Sequence, residues 1–518
     1  MALTRREALA VLGTGTVTPL LASCGSGTPN VDTAQRPPLA IPSGEPLHYA
    51  SLRDVARLIE TRALSSAELT KLMLDRIGSV DDRLKSYATV MTAEAMDAAI
   101  AVDAEIAEGT YRGPLHGVPV AVKDLCYTRG TRTMGALAVL ADFVPSYDAT
   151  VVTRLKAAGA VILGKLNLTE GAMGGYHPDF DIPVNPWDPT LWAGVSSSGS
   201  GVATAAGLCF GSLGSDTGGS IRFPAAQCGL VGLKPTWGRV SRYGVLELAG
   251  SLDHIGPMTR RVADAAIMFA AIAGADPNDP TTRPEPMQPF VDTLGRNIDG
   301  IRLGFDPEYA STGVDPAVTA AVDAAMGIIV GLGAEVVEVQ MPEAPFADWT
   351  TICSYEAVRA HAANYPSRAD EYGPNFGEFL ESGAAVTDAE YRAANERRAA
   401  FSEQFHSMLG TIDALVCPSN VTTMPKIDGM GYGSRSDFLA ALATIAARFD
   451  PPLGSIQRFT VPADFAGTPT ISVPCGFTAA GAPQSLQLVG RDLSEPTLCR
   501  IAHAYEQATD WNTRHPEV

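Results

Sequence analysis

Basic residues are scarce: 38 lysines and arginines face 57 aspartates and glutamates, for a formal net charge of −19. Such a surface repels nucleic acid and anionic lipid and argues against a polyanionic substrate, which leaves a neutral or cationic small molecule as the expected partner. Paired cysteines are also missing. The eight cysteines, Cys24, Cys126, Cys209, Cys228, Cys353, Cys417, Cys475 and Cys499, include no CxxC pair, so zinc knuckles and dithiol redox sites are unsupported. Without Cys24 they number seven, scattered through apolar contexts and expected as buried thiols that act as small hydrophobes. Several catalytic signatures are absent as well. There is no GxSxG elbow, no HExxH helix and no GxxxxGK[ST] loop, and a GxGxxG beginning at Gly199 fails because Thr204 takes the third glycine position. None of the eight histidines lies close in sequence to a serine cluster, which weakens a serine–histidine triad.

With 46% hydrophobic and 18% charged residues over 518 positions, the chain can bury a large core without disulfide or metal staples. Thr4-Arg5-Arg6 precedes an apolar stretch from Ala8 to Ala22, shorter than the ~20 residues a spanning helix needs, and residues 1–23 read as an export signal, with a buried N-terminal helix as the alternative. Its end, LLASCG, resembles a bacterial lipobox, which makes Cys24 the expected lipidation site. Residues 24–47 are rich in Pro, Gly, Ser and Thr and read as a flexible tether, with the folded domain covering 48–518. The expected location is outside the cytoplasmic membrane or in the periplasm, touching the membrane only through the anchor at Cys24.

Helical patterns cover about 51–61, 65–79 and 92–108, the second opened by a Ser65/Glu68 capping box. Short apolar runs such as VPVAVKDL and AVILGK then alternate with helices such as ATVVTRLKAAG, as strands joined by helical crossovers would. Another βαβ unit is expected from IRLGF through a helix at 316–332 to EVVEVQM. TPTISVPCGF and SLQLVG read as closing strands before a last helix near Pro496. The stretch 344–452 reads as a mainly helical, polar insertion. One large α/β domain follows, with no internal repeat.

The segment GVSSSGSGVATAAGLCFGSLGSDTGGSIRFPAAQCGLVGLKPTWGRVSRYG, taken with GVPVAVKDL around Lys123, resembles the amidase signature family. DATVVTRLKAAGAVILGKLN, SLDHIGPMTR and GTPTISVPCG extend the resemblance from about Ser51 to the C-terminal helix. It implies a central mixed, twisted sheet covered by helices on both faces, with 344–452 lining the pocket. Ser220, in DTGGS, then matches the family nucleophile. Ser196 matches a bridging serine held by a cis peptide bond to Ser197, and Lys123 matches the base. The backbone N–H groups of Thr217, Gly218, Gly219 and Ser220 are the expected oxyanion donors. Asp216 and Arg222 are expected to pair and brace that loop. Met173, Gly174 and His177 are candidates for the pocket, a loop-capping role being the alternative for His177. No cofactor and no metal are implied, and oligomeric state leaves no mark in the sequence.

The chemistry is coherent without the resemblance. A serine hydroxyl needs a base within hydrogen-bond reach, and a buried lysine can serve if desolvation keeps it neutral. Singly, a lysine among valines, a Ser/Gly cluster and a GG dipeptide read as a strand end, a loop and a turn; jointly they match one ordered set. Lys165, in ILGKLN, is the rival base and is given a structural role. The chain departs from the family pattern at Val195 and Ser198, which stand for glycines, at Asp464, where asparagine is frequent, and at Gln484 and Ser485, which replace a small apolar–glycine pair. The expected reaction is cleavage of an amide carbon–nitrogen bond of a small neutral molecule through a seryl acyl-enzyme. A lipid-anchored solute-binding protein would share the anchor and the α/β body but has no use for Lys123 with Ser196 and Ser220. The transamidating subunit of a tRNA-dependent amidotransferase needs a cytosolic partner, which an export signal opposes.

Overall fold

The computed structural model describes residues 44–287 and 289–518. The proposed export signal, Cys24 and nearly all of the tether lie outside the described residues.

Eleven strands, β1 (Tyr87–Val90), β2 (Pro119–Lys123), β3 (Val161–Leu166), β4 (Gly211–Asp216), β5 (Val231–Lys234), β6 (His254–Thr259), β7 (Arg302–Phe305), β8 (Glu335–Glu338), β9 (Ala414–Pro418), β10 (Thr470–Phe477) and β11 (Pro483–Val489), form one sheet. Their order is β1-β3-β2-β4-β6-β5-β10-β11-β9-β7-β8. β2 runs parallel to β3 and β4, and β7 parallel to β8 and β9, while the centre from β4 to β9 is antiparallel. The parallel pairs need crossover helices, and Pro316–Gly331 supplies one between β7 and β8. The strand PVAVK is buried at every position, as expected for a strand with both faces covered.

Local signals account for many helix starts. Ser51 caps Leu52–Glu60, and the Ser65/Glu68 box opens Ser66–Leu84, which runs five residues past the expected end. Thr387/Glu390 and Ser434/Asp437 boxes open Asp388–Leu409 and Arg435–Ala446. The stretch 344–452 is mainly helical, yet it also contributes β9, which fits between β7 and β11; a short apolar run inside a helical region has no periodicity to reveal it. All seven cysteines among the described residues are free and buried.

Two helices set the site. Ser198–Ala205 is buried along its whole length and packs beneath β4, and its Gly199 is required because a Cβ there would collide with the carbonyl oxygens of Asn167 and Ser86. Arg222–Gln227 follows the loop that leaves the C-terminal end of β4. The parallel register, with Ala121 beside Ser212 and Val122 beside Leu213, brings the C-terminal ends of β2 and β4 together, where α/β sheets place their ligands.

Candidate active site

Lys123 is the last residue of β2 and is fully buried. Its Nζ lies 2.7 Å from Ser196 Oγ, 2.9 Å from Ser197 Oγ and 2.9 Å from Ser215 Oγ. Burial pulls the amine down from 10.5 to about 7, so it sheds its proton near neutrality. A charged lysine would donate to all three hydroxyls; a neutral one has two donors and a lone pair that must accept. Ser197 is not the source of that proton, since its hydroxyl donates to Ser215 O at 3.1 Å and accepts from Ser215 N at 3.2 Å. Ser196 and Ser215 are left. Motif spacing does not point to Ser197 or Ser215 as lysine partners, because Ser215 comes into reach only through the β2–β4 pairing.

The cis peptide bond sits before Ser196, at Val195–Ser196, and not between Ser196 and Ser197 as expected. Ser197 is the N-cap of Ser198–Ala205, and the Ser196–Ser197 bond is not among the cis bonds of the described residues. Ser198, one of the two departures from glycine, accepts a hydrogen bond from the Tyr176 hydroxyl at 2.8 Å.

Ser220 lies beyond β4, partly exposed, on the wall of a cavity of about 340 Å³. Among the described residues no hydrogen bond joins the hydroxyls of Ser196 and Ser220; the two segments are tied instead by Ser197 N donating to Ser220 O at 3.3 Å. The loop between is held from several sides. Trp349 Nε1 donates to Thr217 O at 2.9 Å, and the Thr460 hydroxyl donates to Gly218 O at 2.7 Å. The Thr217 hydroxyl donates to Asp253 at 2.6 Å. Gly219 has φ +125°, and a Cβ there would meet Thr460 Oγ1 at 2.8 Å, so only glycine fits. Its N–H, expected among the oxyanion donors, is donated instead to Asp216 Oδ1 at 2.6 Å, because the Asp216 carboxylate folds back into the turn that follows it. Thr217, Gly218 and Ser220 keep N–H groups for that task.

Asp216 and Arg222 pair as expected, Nη2 to Oδ1 at 2.9 Å and Nε to Oδ2 at 3.0 Å, both fully buried. Asp464 joins them at 2.8 Å from Arg222 Nη2, so the aspartate at the asparagine position faces a guanidinium. Burial works against both carboxylates. At Asp216 the Arg222 charge outweighs it and holds the acid below its usual range; at Asp464 burial wins and raises it well above.

Met173 and Gly174 line the cavity. His177 is not on its wall; its Nδ1 accepts the N–H of Asp179 at 3.1 Å, the loop-capping alternative. Asp464, Gln484 and Ser485 also lie off the cavity wall, the last two because they are buried within β11. Lys165 is held by Cys126 O, Thr133 Oγ1 and Asp124, away from the serines. The stretch 344–452 contributes Trp349, Met424 and much of the helix Arg435–Ala446. Among the described residues there is no cluster of three metal-ligating side chains, and no helix is long and apolar enough to cross a membrane.

Residues 68–499 match the amidase family. The chain is 47% identical over 470 residues to a Mycobacterium tuberculosis protein named as the amidase AmiD, covering 90% of this chain and 96% of the relative. It is 41% identical to one component of the glutamyl-tRNA(Gln) amidotransferase of Geobacter metallireducens, covering 88% of this chain and 96% of that one. Among solved structures, native peptide amidase from Stenotrophomonas maltophilia superposes with a TM-score of 0.77 at 30% identity, covering 92% of this chain and 99% of that one.

Proposed function

Because this chain belongs to the amidase family and hydrolyses amide carbon–nitrogen bonds, we propose that it does so with Ser220 as nucleophile and neutral Lys123 as base, coupled through Ser196. What carries the reading is the fully buried amine, lowered to about 7, in contact with the hydroxyl of Ser196. As Ser220 attacks the amide carbon, its proton passes to Ser196 and the Ser196 proton to Lys123. The N–H groups of Thr217, Gly218 and Ser220 hold the oxyanion, each worth ~3 kcal/mol to the transition state. The protons then return in the opposite sense to the leaving nitrogen, which departs as amine or ammonia and leaves an ester on Ser220. Water repeats the sequence and frees the acid. The Ser196–Ser220 contact closes when substrate seats, as catalytic hydrogen bonds commonly do.

A fluorophosphonate probe followed by intact-mass measurement tests this. One adduct is expected on the wild type and none on Ser220→Ala; an adduct that survives the substitution moves the nucleophile elsewhere.

The identity to an amidotransferase component favours one second reading, in which the freed ammonia is handed to a partner. Ammonia or amine released into solution by the isolated chain decides for simple hydrolysis. Export and lipidation at Cys24 belong to the same proposal, supported by the paired arginines and the LASC sequence. Labelling with a fatty-acid analogue, present in the full chain and lost in Cys24→Ala, is the expected result.

A further inference from the structure

The cavity wall beside Ser220 is made largely of apolar side chains, among them Leu248, Trp349, Phe438 and Ile445. Among its described lining residues Arg435 is the sole ionisable side chain. It is the first residue of the helix Arg435–Ala446, and Phe438, Leu442 and Ile445 follow it at helical spacing, so the cation rises from the face that walls the cavity. Its guanidinium carbon lies 4.8 Å from the centre of the Phe379 ring. Burial lowers its pKa from the usual arginine value.

This cation has no counter-ion in contact among the described residues. Glu378 is the neighbouring acid, but its Oε2 is taken by the backbone N–H groups of Arg435 at 3.1 Å and Ser436 at 3.4 Å, at the start of the helix. A half-buried guanidinium that has the Phe379 ring and the more distant charge of Glu378 but no ion pair in contact, on the wall of an apolar cavity, is an arrangement that an arriving anion improves. Guanidinium is suited to a carboxylate, which it can bind through two parallel N–H donors.

We propose that the substrate bears a carboxylate joined to its amide by an apolar spacer, and that Arg435 binds that carboxylate while the amide lies at Ser220. The proposal rests on the reading of Ser220 as nucleophile. It also narrows what the overall charge implies: a net charge of −19 acts against any anion at long range, whereas inside the cavity the local cation decides.

The test uses 4-nitroanilides of increasing chain length, each ending in a carboxylate, in an isopropyl group of similar shape, or in a trimethylammonium group. At the best length the carboxylate is expected to lead the isopropyl member by about tenfold in kcat/KM, the scale of a charged hydrogen bond. Arg435→Leu should erase the lead with little change for the isopropyl member, and Arg435→Glu should pass it to the ammonium. Affinity for Ser220→Ala, read by tryptophan fluorescence, gives the same comparison without turnover. Equal binding of the three ends, or a carboxylate lead that persists in Arg435→Leu, overturns the proposal and leaves Arg435 as a packing partner of Phe379. Hydrolysis that persists in Ser220→Ala would instead overturn the nucleophile, whatever Arg435 does.

Discussion

Lys123 Nζ lies 2.7 Å from Ser196 Oγ at a site with no solvent exposure, and burial holds the amine near 7 instead of 10.5. As a base it works only after losing its proton. The rate kcat/KM is therefore expected to rise with pH through about 7 and then level off. A pH profile on the purified protein checks this; a flat profile, or one still climbing near the ordinary lysine value, excludes Lys123 as the base.

The three proposed residues should fail unequally. Ser220→Ala removes the bond-forming atom, and Lys123→Ala removes the proton acceptor, so each is expected to cost roughly 10⁴-fold or more in kcat. Ser196→Ala removes a relay that a water molecule can partly replace, and a loss of about 10²–10³-fold is expected. Steady-state rates, with circular dichroism to confirm folding, give the ranking. Lys123→Ala at wild-type speed would be decisive against the scheme.

How far the sequence reaches follows from which contacts are local. Lys123, Ser196 and Ser220 sit in ordered motifs and can be read directly, as can the Asp216–Arg222 pair, whose members are six residues apart. Ser215 cannot, because its contact with Lys123 spans 92 residues and exists only in the β2–β4 register. The N–H of Gly219 is hidden for a related reason: a DTGGS motif does not reveal that its own aspartate turns back to take a loop N–H. Arg435 lies in the 344–452 stretch, outside every motif that carries the family resemblance, and its importance depends on where Glu378 directs its carboxylate, a choice of partner that spacing does not encode.

Ser215 offers a finer test of the lysine. A hydroxyl that accepts from the ammonium favours the charged form, so removing it should lower the Lys123 pKa further. Ser215→Ala is expected to shift the rising limb of the pH profile to more acid values while retaining measurable turnover. A shift to alkaline values means that Ser215 donates to the amine and that neutral lysine depends on it.

The buried triplet of Asp216, Arg222 and Asp464 should respond asymmetrically to mutation. Arg222→Met leaves two acids without their cation and is expected to cost about 3–5 kcal/mol. Burial raises the Asp464 acid well above its normal range and makes it the easier of the two to neutralise, so Asp464→Asn, which can keep the contact with Arg222, should cost far less. Urea midpoints compare the two. Equal losses would show that Asp464 is ionised.

A buried amine at Lys123 also costs the fold stability. An amine held at about 7 in the native state and near 10.5 when unfolded disfavours folding wherever the unfolded chain is charged. The penalty is complete below about 7, shrinks as pH rises from there toward 10.5, and is absent above 10.5. Lys123→Met removes the titration but takes a partner from the hydroxyls of Ser196, Ser197 and Ser215, a loss that does not vary with pH. The difference in Tm between variant and wild type should therefore favour the variant more at about pH 6 than at about pH 9.5. That slope is independent of activity, so it tests the buried neutral lysine even if every substrate chosen proves wrong. A difference that stays constant across the range would mean that Lys123 is solvated in the native protein, and a solvated ammonium could not act as the base near neutrality.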